Sequence, residues 1–405
     1  MTDAICVFSV LLSVIVLLSL RTNSLILYDG IDSFPVRLLN SIASPSSASF
    51  LRDVATNQKG VEVQLSPFAN NSTRGMFSVI IVTFNEVLLE KTVHNVLENT
   101  DPGYIYEILI IDDCSDVPVT WDAAETRVRI IRNDHRMGLI GARYVGGNNA
   151  RGEYLAFIDA HVFVGPKWLK TPRRLLMEDP KTIVNYINFN LDADNYLPKK
   201  AWQGIGSCAT ITMDLHQFWG GGSRQDMFSP ITMGMFVISK YWWSQGAMDP
   251  DLRTWGGENV EISLRTWLCG GRIVVAKDSF VAHGFRTRFP YSVNGNDVQR
   301  NYIRIANVWL DEKYLAEFYK ASRTRLVDGR PATDYGDISD RLRLKEQLHC
   351  KPFSYYAEKF KGRALCLPKW MQLKDKPYSC GGLMTVTPND ISYLTHEQMF
   401  FRNAT

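Results

Sequence analysis

Between Phe77 and Val164 short apolar runs alternate with stretches of helical period, and this rhythm constrains the fold more than any other feature of the chain. The order is SVIIVTF, EVLLEKTVHNVLEN, YEILIIDD, RVRIIRND, GLIGARYVGGNNARG and EYLAFIDAHVFV. Brief β-rich runs, too short for helices, separated by amphipathic segments are the signature of βαβ units and hence of an α/β fold around a largely parallel sheet. A chain of 405 residues that is 45% hydrophobic and 21% charged can bury such a core.

The strands of this half end in polar residues: Thr83, Asp112 and Asp113, Asp134 to Arg136, and Asp159 with His161. In open α/β sheets ligands sit beyond the carboxyl ends of the strands, so these residues are expected to converge on one nucleotide-binding site. Neither G-x-G-x-x-G nor G-x-x-x-x-G-K-[ST] occurs, which argues against a dinucleotide fold and against a P-loop. The net charge of +3 is too balanced for the overall field to attract nucleic acid, so phosphate binding must be local. The stretch from Lys181 to Tyr241, aromatic and glycine-rich, is expected to be irregular structure on the acceptor side.

Upstream, Ala4 to Leu20 carries no charge and Arg21 follows at once. This is near the lower limit of the roughly 20 apolar residues that span a bilayer. Residues 1–24 are read as an uncleaved signal anchor, with a cleaved signal peptide as the alternative, and 25–75, rich in Ser, Asn and Pro, as a stem. The sequons at Asn70, Asn71 and Asn403 are usable only in a secretory lumen. The seven cysteines show no zinc spacing, and an oxidising compartment would allow disulfides.

Three short motifs carry the chemistry. Asp159-Ala160-His161 follows a buried run, and alternation along an extended chain would turn carboxylate and imidazole toward one point, suiting a divalent ion that holds a diphosphate. The same pair also reads as a solvated strand end. Trp255-Gly256-Gly257-Glu258-Asn259 precedes VEISLRTWL, a helix with one apolar face. Glu258 there either favours the helix N-terminus through its dipole or is fixed against a sugar hydroxyl, and both readings hold together. His283-Gly284-Phe285-Arg286 would supply a third metal ligand and a phosphate clamp, or a structural histidine.

In this order and spacing, DAH, WGGEN followed by VEISLRTWLCGG, and HGFRTRFPY resemble the UDP-GalNAc:polypeptide N-acetylgalactosaminyltransferases, from about Phe77 to Tyr356 and including ANVWLDEKY and QLHCKPFSYY. The resemblance implies a GT-A fold, a mixed central sheet with flanking helices, in a catalytic domain over 76–330. It implies a UDP-sugar donor, Mn2+, and retaining transfer, of GalNAc in the family, to Ser or Thr of a protein acceptor. Asp159, His161 and His283 would be the metal ligands. Thr83, Asp113 and Arg136 would contact uridine and ribose, and Arg286 and Tyr291 the diphosphate from a mobile loop. Glu258, with Asn259, would hold the sugar, and Trp255 would lie on a gating segment. Gly234 would line the donor site. A lumenal catalytic domain on a Golgi type II membrane protein follows, or a secreted enzyme if the signal is cleaved.

Departures from the family are informative. Phe84-Asn85-Glu86 lacks a histidine found in the family's Phe-His-Asn-Glu run. Ile211-Thr212-Met213 aligns with an acceptor-groove Phe-Asp-Trp, and Thr232-Met233-Gly234 with an Ala-Gly-Gly beside the sugar. Residues 331–405 are expected to be an extension packed on the catalytic domain, too short for the family's ricin-type lectin trefoil. The resemblance also implies a Cys269–Cys350 disulfide, with Cys366–Cys380 as a second candidate. The competing readings are another UDP-hexose or UDP-HexNAc transferase of the same fold, and a catalytically inactive homologue acting as a binding module.

Overall fold

The computed structural model describes residues 73–199, 208–220, 222, 226–285 and 291–366. The expected anchor, the stem as far as residue 72, the three sequon asparagines, Arg286 and Cys380 lie outside them. The elements in chain order are β1 (Phe77–Thr83), α1 (Leu89–Asn99), β2 (Ile105–Asp112), β3 (Val128–Arg132), α2 (Gly138–Asn149), β4 (Tyr154–Asp159), β5 (Val162–Val164) and α3 (Lys170–Glu178). There follow β6 (Thr182–Asp192), β7 (Leu197–Pro198), β8 (Ala209–Ile211), β9 (Gln217–Trp219), β10 (Phe236–Ser239), α4 (Lys240–Ser244), α5 (Glu258–Leu268) and β11 (Arg272–His283). The last are α6 (Gly295–Trp309), α7 (Glu312–Ala321), the small β12 (Leu326–Val327) and β13 (Arg330–Pro331), α8 (Ser339–Gln347) and α9 (Phe353–Lys359).

The central sheet runs β3-β2-β1-β4-β10-β6-β11-β5, with β7 on β6. β3, β2, β1 and β4 are mutually parallel, β10 runs antiparallel to both β4 and β6, and β11 is parallel to β6. Alternation along the strands divides two apolar layers. Ile80, Leu109, Ile111, Leu155 and Phe157 face the layer shared with α5, α6 and α9, whereas Val79, Ile81, Ile108, Ile110, Ala156 and Ile158 face the other, with α1 and α3. This is the expected α/β arrangement. All described residues fall within one compact unit, Leu65–Thr405, and among them no helix is long and apolar enough to cross a membrane.

Two expectations are corrected. Lys181–Tyr241 is not irregular throughout: β6, with eleven residues, is a nearly wholly buried strand between β10 and β11, and β10 joins it. The asparagines of TIVNYINFNLD disguise it as polar. Inside, Asn185 accepts from Thr232 Oγ1 and donates to the Ile231 carbonyl, so a buried amide is satisfied in the middle of the sheet. Nor does α5 keep a polar face: all eleven of its residues are buried. Glu261 and Arg265 pair at 3.7 Å, and Arg265 also donates to the Gln245 and Ala247 carbonyls, which makes burial of that face tolerable.

The segment after α8 is tied back to the body. Cys269, at the end of α5, is bridged to Cys350, as the resemblance implied. Phe353, Tyr356 and Phe360 enter the larger apolar layer. Ile211, Thr212 and Met213, aligned with an acceptor-groove segment, are all buried, and the Met213 N–H donates to the Cys366 carbonyl.

Candidate active site

Topology brings the polar strand ends to one edge. Because β1, β2 and β4 are parallel, Thr83, Asp112 and Asp159 end on the same side. β10 enters antiparallel beside β4 and so carries Thr232, Met233 and Gly234, which precede it, to that edge. β11 leaves there, and His283 pairs with Val162 at the start of β5. The chain turns at Ala160 and His161 instead of continuing β4, so strand alternation is not what aligns Asp159 with His161. The return into β5, clamped by β11, does so.

One carboxylate oxygen of Asp159 and one ring nitrogen each of His161 and His283 lie within 4.8 Å of one another. His283 Nε2 is 3.2 Å from Asp159 Oδ2 and 3.1 Å from His161 Nε2. Two imidazole Nε2 atoms aimed at one another and at a carboxylate are a donor set for a divalent cation, with which Mn2+ is compatible through its carboxylate and open positions. The residues therefore fit the group that the sequence implied. His161 Nδ1 meets Glu86 Oε2 at 2.8 Å, the carboxylate support that metal-binding histidines commonly have. His283 Nδ1 is buried without a hydrogen-bond partner.

The charges are tuned accordingly. Burial pushes the His161 imidazole below its ordinary value, against the pull of Asp159, so the ring stays neutral and keeps a lone pair for a ligand bond. Burial also works against ionisation of Asp159. His283, Arg143 and His161 more than reverse that effect and hold its carboxyl well below the usual carboxylate range. Glu258 moves the other way, because desolvation at the buried N-terminus of α5 raises its carboxyl despite Arg143 and the backbone N–H groups there.

Glu258 sits at the first position of α5 because Gly256 and Gly257 turn the chain through positive φ, 95° and 93°. A Cβ on Gly257 would lie 2.7 Å from Ile305 Cδ1, so space as well as conformation demands glycine. The Gly256 N–H donates to Glu258 Oε2 at 3.2 Å. Asn259 is buried beside it, its Oδ1 without a partner. Trp255 is half-buried, and its neighbour Thr254 accepts from the Ile140 N–H of α2, which docks this segment against the α2 N-terminus.

On the far side of the edge, Asp113 is buried and accepts from the Met137 and Gly138 N–H groups and from Asn133 Nδ2, so it holds the start of α2 in place. Asp112 does not face a ligand: it is fully buried and bound by Ser115, Val119 and Arg132. Thr83 is buried with its Oγ1 unpartnered. The Arg136 guanidinium lies 3.8 Å from the Phe84 ring centre and 5.0 Å from that of Tyr291, bringing Arg136 and Tyr291 together. Met233 is half-buried and packs against the larger apolar layer.

Two residues that sequence reasoning did not single out for the site are built into it. Glu86 follows β1 in the Phe84-Asn85-Glu86 run, whose position after a strand was the available signal. Arg143, on α2 and only 2% exposed, contacts Asp159 and Glu258. Its signal was a single charge within the otherwise small and apolar GLIGARYVGG.

Residues 78–238 match the family model described as glycosyl transferase family 2. The chain is 34% identical over 299 residues to polypeptide N-acetylgalactosaminyltransferase 4 of Caenorhabditis elegans, covering 69% of this chain and 50% of that protein. It is 35% identical over 305 residues to human polypeptide N-acetylgalactosaminyltransferase 6, covering 69% and 48%. Among solved structures it superposes on GalNAc-T7 with UDP, GalNAc and Mn2+ at a TM-score of 0.61 and 27% identity, over 70% of this chain and 57% of that one. The chain thus spans about half the length of the curated relatives it matches, and the fold is GT-A.

Proposed function

We propose that this chain, which belongs to the polypeptide N-acetylgalactosaminyltransferase family through its GT-A catalytic region, moves a sugar from a UDP-sugar to Ser or Thr of a protein acceptor with retention. The observation that carries the reading is the convergence of Asp159, His161 and His283 at the strand edge that also holds Glu258. Mn2+ held there would bind the donor diphosphate and offset the charge that develops on departing UDP.

The chain's own residues supply the rest. Asp113 and Thr83 lie where the nucleoside enters, and Thr83 Oγ1 has hydrogen-bonding capacity that no protein atom uses. Arg136 and Tyr291 stand at the mouth, where a cation and a phenol suit phosphate oxygens. Arg286, adjacent in sequence to that mouth, is assigned the same duty. Glu258 and Asn259 at the rigid α5 N-terminus orient the sugar, and Trp255 borders them. Exclusion of water around this set would limit donor hydrolysis.

For location, the apolar run Ala4 to Leu20, three sequons that are usable only in a secretory lumen and the Cys269–Cys350 bridge together support a Golgi membrane protein of type II with a lumenal catalytic region. A second reading, a donor other than UDP-GalNAc, is raised by Met233, a long side chain at the position where the resemblance implies glycine.

The test is a panel of UDP-GalNAc, UDP-GlcNAc, UDP-Gal and UDP-Glc with a Ser/Thr peptide library and Mn2+, read by mass spectrometry. Sugar-modified peptide is the expected result. A protein that binds UDP yet modifies no peptide with any donor would leave the inactive-homologue reading in its place.

A further inference from the structure

One guanidinium joins the two halves of the site. Arg143 Nη2 donates to Asp159 Oδ1 at 3.1 Å and to the Gly234 carbonyl at 2.7 Å, while Nη1 reaches Glu258 Oε1 at 3.3 Å. We propose that Arg143 is a positioning residue that couples the metal site to the sugar site by fixing the Asp159 and Glu258 carboxylates with a single planar fork. This rests on the reading of Asp159, His161 and His283 as metal ligands and of Glu258 as the sugar carboxylate.

The assignment of oxygens supports it. Arg143 takes Oδ1 of Asp159, and Oδ2 is the oxygen that faces His283. The arginine therefore decides which lone pairs Asp159 offers to the ion. At Glu258 it takes Oε1 while the Gly256 N–H takes Oε2, so both oxygens of that carboxylate are pinned. A guanidinium buried this deeply is tolerable only with such partners, and two carboxylates and a carbonyl match its fork. A lysine ammonium, a point charge, cannot span the same three acceptors in the same plane. Gly234 fits the picture as well: a Cβ there would lie 3.1 Å from Arg143 Nη2 and 3.6 Å from Asp159 Oδ2. Glycine at this position makes room for the arginine, whatever sugar is bound.

The experiment uses the full chain with Arg143→Lys and Arg143→Met, each checked for folding by circular dichroism. Mn2+ affinity is measured without donor from the electron paramagnetic resonance signal of the free ion. Affinities for UDP and UDP-GalNAc are then measured by calorimetry at saturating Mn2+. Loss of a residue that orients a metal ligand costs about 10- to 100-fold in metal affinity, and that is the expected change, Met exceeding Lys. The ratio of UDP-GalNAc to UDP affinity should also move toward one, which a purely structural arginine would not cause.

Folded variants with wild-type Mn2+ affinity and an unchanged ratio overturn the coupling. Should neither variant fold, Glu258→Gln tests the same link from its other end: it leaves the guanidinium in place and should weaken Mn2+ binding, and an unchanged Mn2+ affinity overturns the proposal. Asp159→Asn separates the two levels. If it abolishes Mn2+ binding while the Arg143 variants retain it fully, the metal reading stands and the coupling falls. If the wild type itself binds no Mn2+, both fall.

Discussion

Glu86 Oε2 lies 2.8 Å from His161 Nδ1, so the residue three places after β1 fixes the ring that meets Asp159 and His283. With Nδ1 engaged, the tautomer that presents Nε2 as an acceptor is favoured. Glu86→Ala should therefore lower Mn2+ affinity by about 10- to 100-fold. Glu86→Gln, which can still accept from Nδ1 through its amide oxygen, should lose less. Equal Mn2+ affinities in wild type and Glu86→Ala would remove this role.

Asp112 is a structural carboxylate, and its pH dependence follows from its partners. Burial would raise its carboxyl, but Ser115, the Val119 N–H and Arg132 outweigh it and hold the value below the ordinary one. A group depressed in the folded state stabilises fully above its unfolded value, near pH 4, and loses that contribution as pH falls through the folded one. Asp112→Asn should cost about 1 to 3 kcal/mol at pH 7, because buried N–H groups lose a charged acceptor while Arg132 is partly solvated. Urea titrations at pH 7 and pH 3 should show the gap between variant and wild type narrowing in acid. A gap that widens would contradict the assignment.

Gly257 sets the N-terminus of α5, where Glu258 sits, through its backbone. Gly257→Ala would combine a left-handed φ with a Cβ 2.7 Å from Ile305, so a loss of roughly 1 to 3 kcal/mol is expected. Thermal unfolding checks it. A variant as stable as wild type would show that the α5 N-terminus can shift without cost.

Much of this was legible in the sequence, and the gaps have physical causes. The apolar runs from Phe77 to Val164 announced β1, β2, β3, β4 and the helices between them, because β1, β2 and β4 are short and nearly wholly buried and β3 is a short, half-buried edge strand. Asp159, His161 and His283 could be named from motif order, since their chemistry resides in residue type. β6 was hidden by its asparagines, of which Asn185 finds its partners, Thr232 and Ile231, in another segment. Arg143 and Glu86 were missed for the same reason: an arginine in a helix and a glutamate in a loop usually face solvent. Only the fold reveals the anions and the imidazole that they meet.

Met233 is where donor choice should depart from that of relatives. Its side chain is half-buried, packed on the apolar layer next to Gly234, which borders Asp159. Size exclusion by a methylene or two yields about 10- to 200-fold discrimination, so Met233→Gly should shift the relative kcat/KM among UDP-GalNAc, UDP-GlcNAc, UDP-Gal and UDP-Glc toward UDP-GalNAc within that range. Identical ratios in both proteins would show that Met233 turns away from the sugar.

Asp159, His161 and His283 converge as the proposed metal centre of a sugar transferase. The direct measurement is transfer from the best UDP-sugar to a Ser/Thr peptide, followed by mass spectrometry, after treatment with EDTA and then with excess Mn2+. Wild type should lose activity to EDTA and recover it with Mn2+, whereas Asp159→Ala, His161→Ala and His283→Ala, folded by circular dichroism, should stay inactive in both conditions. Transfer that survives EDTA in the wild type, or persists in the three variants, would contradict the account.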